Sequence, residues 1–170
     1  MSRPPVRILG VDTSLRCSGV GVIVSNGVQS KAVCFGTIEN PQSRPVSAAL
    51  YHLQKGIREW IEREKPDVAA VEGIFFSRNV KVTLSLGQAR GVVLAACAEK
   101  GVPVCEYAPR LVKRGITGTG AAQKNQVGYM IKAMLGLTEA PPEDAADALA
   151  IALCHAQQMR VAELGQGRTI

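Results

Sequence analysis

Apolar residues fall in blocks along this chain, and their period changes from block to block. Val6 to Val11 is a nearly unbroken apolar run that ends on Asp12, and Gly19 to Val24 is a second, with the polar turn Thr13 to Ser18 between them. Runs of this length bounded by turn residues predict buried strands. Ser25-Asn26-Gly27 carries the Asn-Gly hairpin signal, after which Gln29 to Ile38 predicts a third strand and an antiparallel meander. From Val46 to Glu64 the period becomes helical: Leu50, Leu53, Ile57, Trp60 and Ile61 form one stripe, with Pro45 near its start and Pro66 beyond its end. Strand returns at Asp67 to Ile74, helix at Lys81 to Lys100, strand at Val102 to Tyr107, and a short helix or turn at Arg110 to Gly115. Gly118 to Gly120 breaks the chain, Gln123 to Leu137 predicts a helix, and Glu143 to about Glu163 a last one in which Ala145, Ala148, Leu149, Ala152 and Leu153 are apolar. The order predicts an α/β fold: a mixed five-stranded sheet, three antiparallel strands and then parallel additions, with helices on both faces.

At 170 residues and 46% hydrophobic content the chain can bury one sizeable core, so a single domain over residues 1–170 is expected. The last ~8 residues are expected to be flexible. Met1 to Arg7 is basic and lacks an apolar leader region, and glycine or charge interrupts the apolar runs before the roughly 18 residues of a membrane span. A cytosolic or organellar protein follows. The cysteines, Cys17, Cys34, Cys97, Cys105 and Cys154, are odd in number and contain no CxxC pair, which predicts reduced core thiols. The net charge of +6 is unevenly placed: between Gly73 and Thr138 nine Lys or Arg stand against two acids, Glu99 and Glu106, while the rest of the chain has eleven bases and twelve acids. A central segment at +7 beside a remainder at −1 suits an anionic partner, although a solvated basic face has the same composition.

The acids that interrupt apolar stretches are the candidates for chemistry. Asp12 and Glu72 each stand near the end of an otherwise apolar strand, where a charge needs solvent, a partner or a metal, and both could leave one edge of the sheet. Each alone reads as an ordinary strand-end residue; the pair does not. Asp144 and Asp147 are spaced i, i+3 on one face of the last helix and repel unless something cationic lies between them. Asp144 could serve as a cap and Glu143, just after Pro142, as a solvated first-turn acid, but Asp147 is embedded in Ala-Ala-Asp-Ala-Leu-Ala-Ile-Ala-Leu, which has to pack against something. Hard oxygen donors without histidine or cysteine companions suit magnesium, with manganese a substitute, and clustered carboxylates suit two such ions on a phosphodiester. His52 and His155 read as structural or exposed, and zinc is unsupported.

Gly115 to Gly120 lacks the order of a phosphate-cradling GxxxxGK[ST] loop. Gly87 and Gly91 permit another helix to approach closely, as core packing would need. Gly10-Val-Asp-Thr-Ser resembles the first phosphate motif of actin-like ATPases, yet 170 residues leave no second domain to close over a nucleotide. A module that binds branched DNA without cutting it would need the basic segment but not the acids.

Four ordered strings, Glu72-Gly-Ile-Phe, Leu86-Gly-Gln-Ala-Arg-Gly, Gln123-Lys-Asn-Gln-Val and Asp144-Ala-Ala-Asp-Ala-Leu-Ala-Ile-Ala, make the chain resemble the RuvC family of Holliday-junction resolvases along nearly its whole length. The resemblance implies a ribonuclease-H-like fold, a homodimer, a bacterial cytoplasmic location, two magnesium ions and paired symmetric nicks at a four-way DNA junction. It also implies a RuvA/RuvB-type branch-migration complex as a possible partner, and suggests a dimer seam at Gly87 and Gly91 as the alternative to core packing there. It carries the catalytic and metal-binding role onto Asp12, Glu72, Asp144 and Asp147, places Lys113 and Lys124 on DNA phosphate, and has Phe75 stack on a base near the branch. Arg78, Lys81 and Arg114 are expected to join them on DNA. Where the family shows Asp-Pro-Gly after the first strand, this chain has Asp12-Thr13-Ser14, while Arg16 and Gly19 still fit.

Overall fold

The structure is a computed structural model of the 170-residue chain, and it describes residues 4–73, 79–118, 124–161 and 168–169. Three antiparallel strands open it, β1 (Val6–Asp12), β2 (Cys17–Ser25) and β3 (Ser30–Glu39). The Asn-Gly signal marks the turn between β2 and β3: Gly27 takes φ +87°, and Asn26 Oδ1 accepts from the amides of Val28 and Gln29. The helix α1 (Val46–Glu64) then leads to β4 (Val68–Glu72), and α2 (Val80–Glu99) to β5 (Val104–Tyr107). Three helices follow, α3 (Pro109–Thr117), α4 (Lys124–Leu135) and α5 (Glu143–Val161). The strand order is β3-β2-β1-β4-β5, with β4 parallel to β1 and β5 parallel to β4, as expected; a two-residue strand β6 (Arg168–Thr169), absent from the hydropathy pattern, adds antiparallel to β5. Arg110 to Gly115, left open between helix and turn by the sequence, lies within the helix α3.

Alternation along the strands divides the core into two layers. Leu9 and Val11 of β1, Val20 and Val22 of β2 and Ala69 and Val71 of β4 pack with Leu53 and Ile57 of α1 and Ala89, Val93 and Cys97 of α2. Their strand neighbours Ile8, Val68 and Ala70 point the other way, to Val112, Ile131, Leu149 and Ala152 of α3, α4 and α5. By length and composition α2 is apolar enough to cross a membrane, although Lys81, Gly87, Arg90 and Gly91 interrupt it; here it lies against α1 and buries Ala89, Arg90, Val93, Ala96 and Cys97.

α5 approaches the sheet closely because three positions of β1 and β2 beneath it, Gly10, Gly19 and Gly21, carry no side chain. A Cβ on Gly10 would lie 2.0 Å from the Ala148 carbonyl oxygen, and one on Gly19 1.8 Å from that of Asp144. Neither clash can be relieved without moving helix backbone. At Gly21 the nearest atoms belong to the Leu149 side chain, which can turn aside. Gly10→Ala and Gly19→Ala should therefore each cost roughly 1–3 kcal/mol or more and lower the melting temperature by several degrees, while Gly21→Ala costs clearly less. Equal losses at all three positions in thermal unfolding would show that backbone contact does not set the helix height.

Candidate active site

Asp12 and Glu72 close two adjacent parallel strands at the same level, since the β1–β4 pairing ends at Val11 opposite Val71. Gly10 and Ala70, two residues earlier, face the α5 layer, so both carboxylates leave the sheet on that side. The helix brings the other pair. Asp144 lies in its first turn, where a negative charge complements the helix dipole, and Asp147 follows one turn later between buried Ala146 and Ala148. Glu143 is exposed at the helix start, in keeping with a solvated role.

Asp12, Glu72 and Asp147 line one pocket of about 220 Å³, together with Lys113 of α3 and the apolar wall Val112, Ile116, Val127 and Ile151. Burial, and then the neighbouring charge of Asp147, raise the Glu72 carboxyl above its ordinary pKa; Lys113 partly offsets this. Asp144 sits outside that wall, beside Asp12, where the Cys17 thiol donates to its Oδ2 at 3.0 Å. Burial, and then Asp144 itself, push the Cys17 thiol up to about 12, so it stays protonated and keeps donating. Among the described residues no three His, Cys, Asp or Glu side chains meet as a ready-made metal cluster.

The candidate DNA-binding residues divide. Lys113 and Arg114 are exposed on α3, Lys113 at the mouth of the pocket. Lys81 lines a separate open groove with Arg16, Asn79 and Leu84. Lys124 begins α4, and its side chain lies outside what is described, as do Phe75 and Arg78 altogether. The histidines are structural: His52 Nδ1 meets Asn40 Oδ1 at 3.1 Å, and His155 Nδ1 meets the Tyr107 hydroxyl at 2.7 Å, with burial holding His155 down to about 4. The five cysteines are free, Cys97 and Cys154 buried and the other three half-buried.

The surrounding frame contains residues that periodicity does not single out. Asn40, 5% exposed, donates to the carbonyls of Leu15 and Ala49 and accepts from Arg44, fixing the β1–β2 turn against α1. Arg90, 8% exposed, donates to the Glu72 carbonyl at 2.9 Å and pairs with the Glu106 carboxylate. A burial pattern with one Arg among apolar positions of α2 was the available signal.

Because the folded chain raises the pKa of Glu72, it holds that proton more tightly than the unfolded chain does, and the ionised carboxylate costs stability at neutral pH. The cost is present above the folded pKa and vanishes below the unfolded one. Glu72→Gln should accordingly raise the melting temperature in metal-free buffer at neutral pH, and its advantage over the wild type should shrink as pH falls. A variant less stable than the wild type at neutral pH would contradict the electrostatic account.

Residues 8–155 match the family described as crossover junction endodeoxyribonuclease RuvC. The chain is 46% identical over 150 residues to the RuvC of Halorhodospira halophila, covering 88% of this chain and 89% of that one. It is 45% identical over 163 residues to the RuvC of Thermotoga petrophila, covering 95% and 99%. Its fold superposes on Thermus thermophilus RuvC in complex with Holliday junction substrate with a TM-score of 0.88 and 34% identity, covering 97% of this chain and 99% of that one. A likeness that continuous in sequence and in fold settles the assignment: the chain belongs to the RuvC family of crossover junction endodeoxyribonucleases.

Proposed function

We propose that this chain resolves four-way DNA junctions by paired symmetric nicks, with Asp12, Glu72, Asp144 and Asp147 as ligands of two magnesium ions. The observation that carries the reading is the meeting of Asp12, Glu72 and Asp147 with Lys113 in one pocket, supplied by two strand ends and two helices. The family works with a divalent metal, and the donor set here fits one: all carboxylate oxygens, with Glu72 destabilised as an anion by burial and by Asp147. Manganese, another hard cation, would be accepted by the same set. When bound, such ions activate water for in-line attack and steady the leaving 3′-oxygen.

The chain's own residues do the rest. Cys17 holds one oxygen of Asp144, and Lys113 sets a positive charge where a scissile phosphate would enter. Lys124, Arg114, Arg78 and Lys81 are assigned to the DNA backbone, and Phe75 to stacking on an unpaired base, worth roughly 1–3 kcal/mol at a branch point. A homodimer is part of the reading. A Cβ on Gly87 or Gly91 would meet nothing within 4 Å among the described residues, and Val80, Val82 and Leu84 on the same helix are exposed. The seam would lie there.

The direct test is incubation with a synthetic four-way junction and with linear duplex, with and without magnesium, followed by mapping of the nicks. Asp147→Asn should abolish cutting and leave junction binding intact or tighter, because a ligand and a negative charge facing phosphate are both lost. Near-normal cleavage by Asp147→Asn would remove it from the metal site. Lys113→Ala should weaken binding to junctions of every sequence and reduce the slope of log K against log salt by about 1. An unchanged slope would take Lys113 off the phosphate path.

A further inference from the structure

We propose that Arg90 is a positioning residue for the metal-binding carboxylate of Glu72, holding the end of its strand from the opposite face of the sheet. The inference rests on the assignment of Glu72 as a ligand. Its starting point is an arginine that is 8% exposed in the middle of α2, among the apolar residues Ala89, Val93 and Ala96. A guanidinium so buried needs acceptors, and it has two of different kinds. Nη1 donates to the main-chain carbonyl of Glu72 at 2.9 Å, and Nη2 pairs with the Glu106 carboxylate.

The geometry gives this pairing a direction. Residues 69 and 71 of β4 face the α1–α2 layer, so the Glu72 side chain faces the other layer, where the pocket is. Arg90 reaches the carbonyl of that residue from the α2 side. Glu72 is the last residue of β4, and its neighbour β1 is paired with β4 only as far as Val71, so the peptide that sets the carboxylate's direction lies beyond that ladder. Two anchors remain on the β5 side: the Gly73 amide donates to the Tyr107 carbonyl at 2.9 Å, and Arg90 ties Glu72 to Glu106. Glu106 sits opposite Val71 in the parallel register, and its side chain is 38% exposed. One planar fork thus spans two strand ends, which the single ammonium of lysine cannot do in the same geometry. It also accounts for one of the two acids in the basic central segment.

Groups that orient a metal ligand without touching the metal change metal affinity or turnover by roughly 10- to 100-fold when removed. Arg90→Lys, which keeps the charge, and Arg90→Met, which keeps the volume, should therefore both raise the magnesium or manganese concentration that half-saturates the rise in melting temperature measured without DNA. Cleavage at saturating junction should fall by a comparable factor, while junction binding in metal-free buffer stays at the wild-type value. Glu106→Gln leaves Arg90 in place with a weaker partner and should shift the metal requirement the same way by less. Wild-type metal requirement and turnover in a folded Arg90→Lys or Arg90→Met, with only the metal-free melting temperature lowered, would make Arg90 a structural strut and overturn the proposal. Should neither Arg90 variant fold, an unshifted metal requirement in Glu106→Gln overturns it equally. The parallel arm with wild type and Glu72→Gln separates the two ideas: no metal response in the wild type would defeat the metal-site assignment itself, whereas a wild-type response that Glu72→Gln loses and Arg90→Lys keeps defeats the role of Arg90 alone.

Discussion

The contact between the backbone of α5 and the glycines of β1 and β2 sets the height of everything above the sheet. Helices rest on sheets through side chains, and a typical helix is about 10 Å across with them; here the carbonyls of Asp144 and Ala148 stand over bare glycine Cα atoms. The alanines of α5, Ala145, Ala148 and Ala152, are wholly buried and let the helix keep that height along its length. Asp144 and Asp147 project from the end of the same helix, so the separation between them and Asp12 is fixed by backbone packing rather than by flexible side chains. Close packing also explains why the apolar run around Asp147 cannot be exchanged for bulkier residues without moving the acid.

One carboxylate placed this way opposes the fold. Asp12, Glu72 and Asp147 share a pocket with Lys113, and Glu72 is raised in pKa by burial and by Asp147. Burial and the neighbouring Asp147 both disfavour the ionised form of Glu72, so that carboxylate is held at a cost to stability in the position where it lines the pocket. Of the bases in the central segment, Lys113 lines the pocket, where it partly offsets the rise in the Glu72 pKa, and Arg114 is exposed next to it on α3.

What the sequence made legible was what local pattern encodes. Strands and helices follow from the spacing of apolar residues, and Asp12, Glu72 and Asp147 stood out because a charge at the end of an apolar run has to be explained. Partners distant in sequence left no such mark. Arg90 counted as one more base of the central segment, although it is buried and bound to Glu72 and Glu106; Asn40 was not singled out at all, although it links Leu15, Ala49, Arg44 and His52. Cys17 was read as a core thiol, whereas its Sγ meets Asp144 across 127 residues of chain. Each of these depends on which elements the fold makes neighbours, and periodicity carries no information about that.

The departure at Asp12-Thr13-Ser14 is the instructive case, because a proline and a glycine in a tight turn normally signal fixed or positive φ angles. In this chain Ser14 needs neither: Lys65 is the one non-glycine residue with positive φ among those described. The turn is closed instead by a side chain. Ser18 Oγ accepts from the Ser14 amide at 3.0 Å and donates to the Ser14 carbonyl at 2.5 Å, so one buried hydroxyl ties both polar groups of Ser14 to the start of β2. Asn40 then binds the Leu15 carbonyl, and Arg16 reaches the carbonyls of Pro41 and Arg44. The direction in which Asp12 leaves its strand is thereby held by hydrogen bonds from β2 and from the segment before α1. A turn built this way can lose its usual residues and keep the carboxylate in place, because the constraint has moved from the turn's own backbone to the residues that surround it.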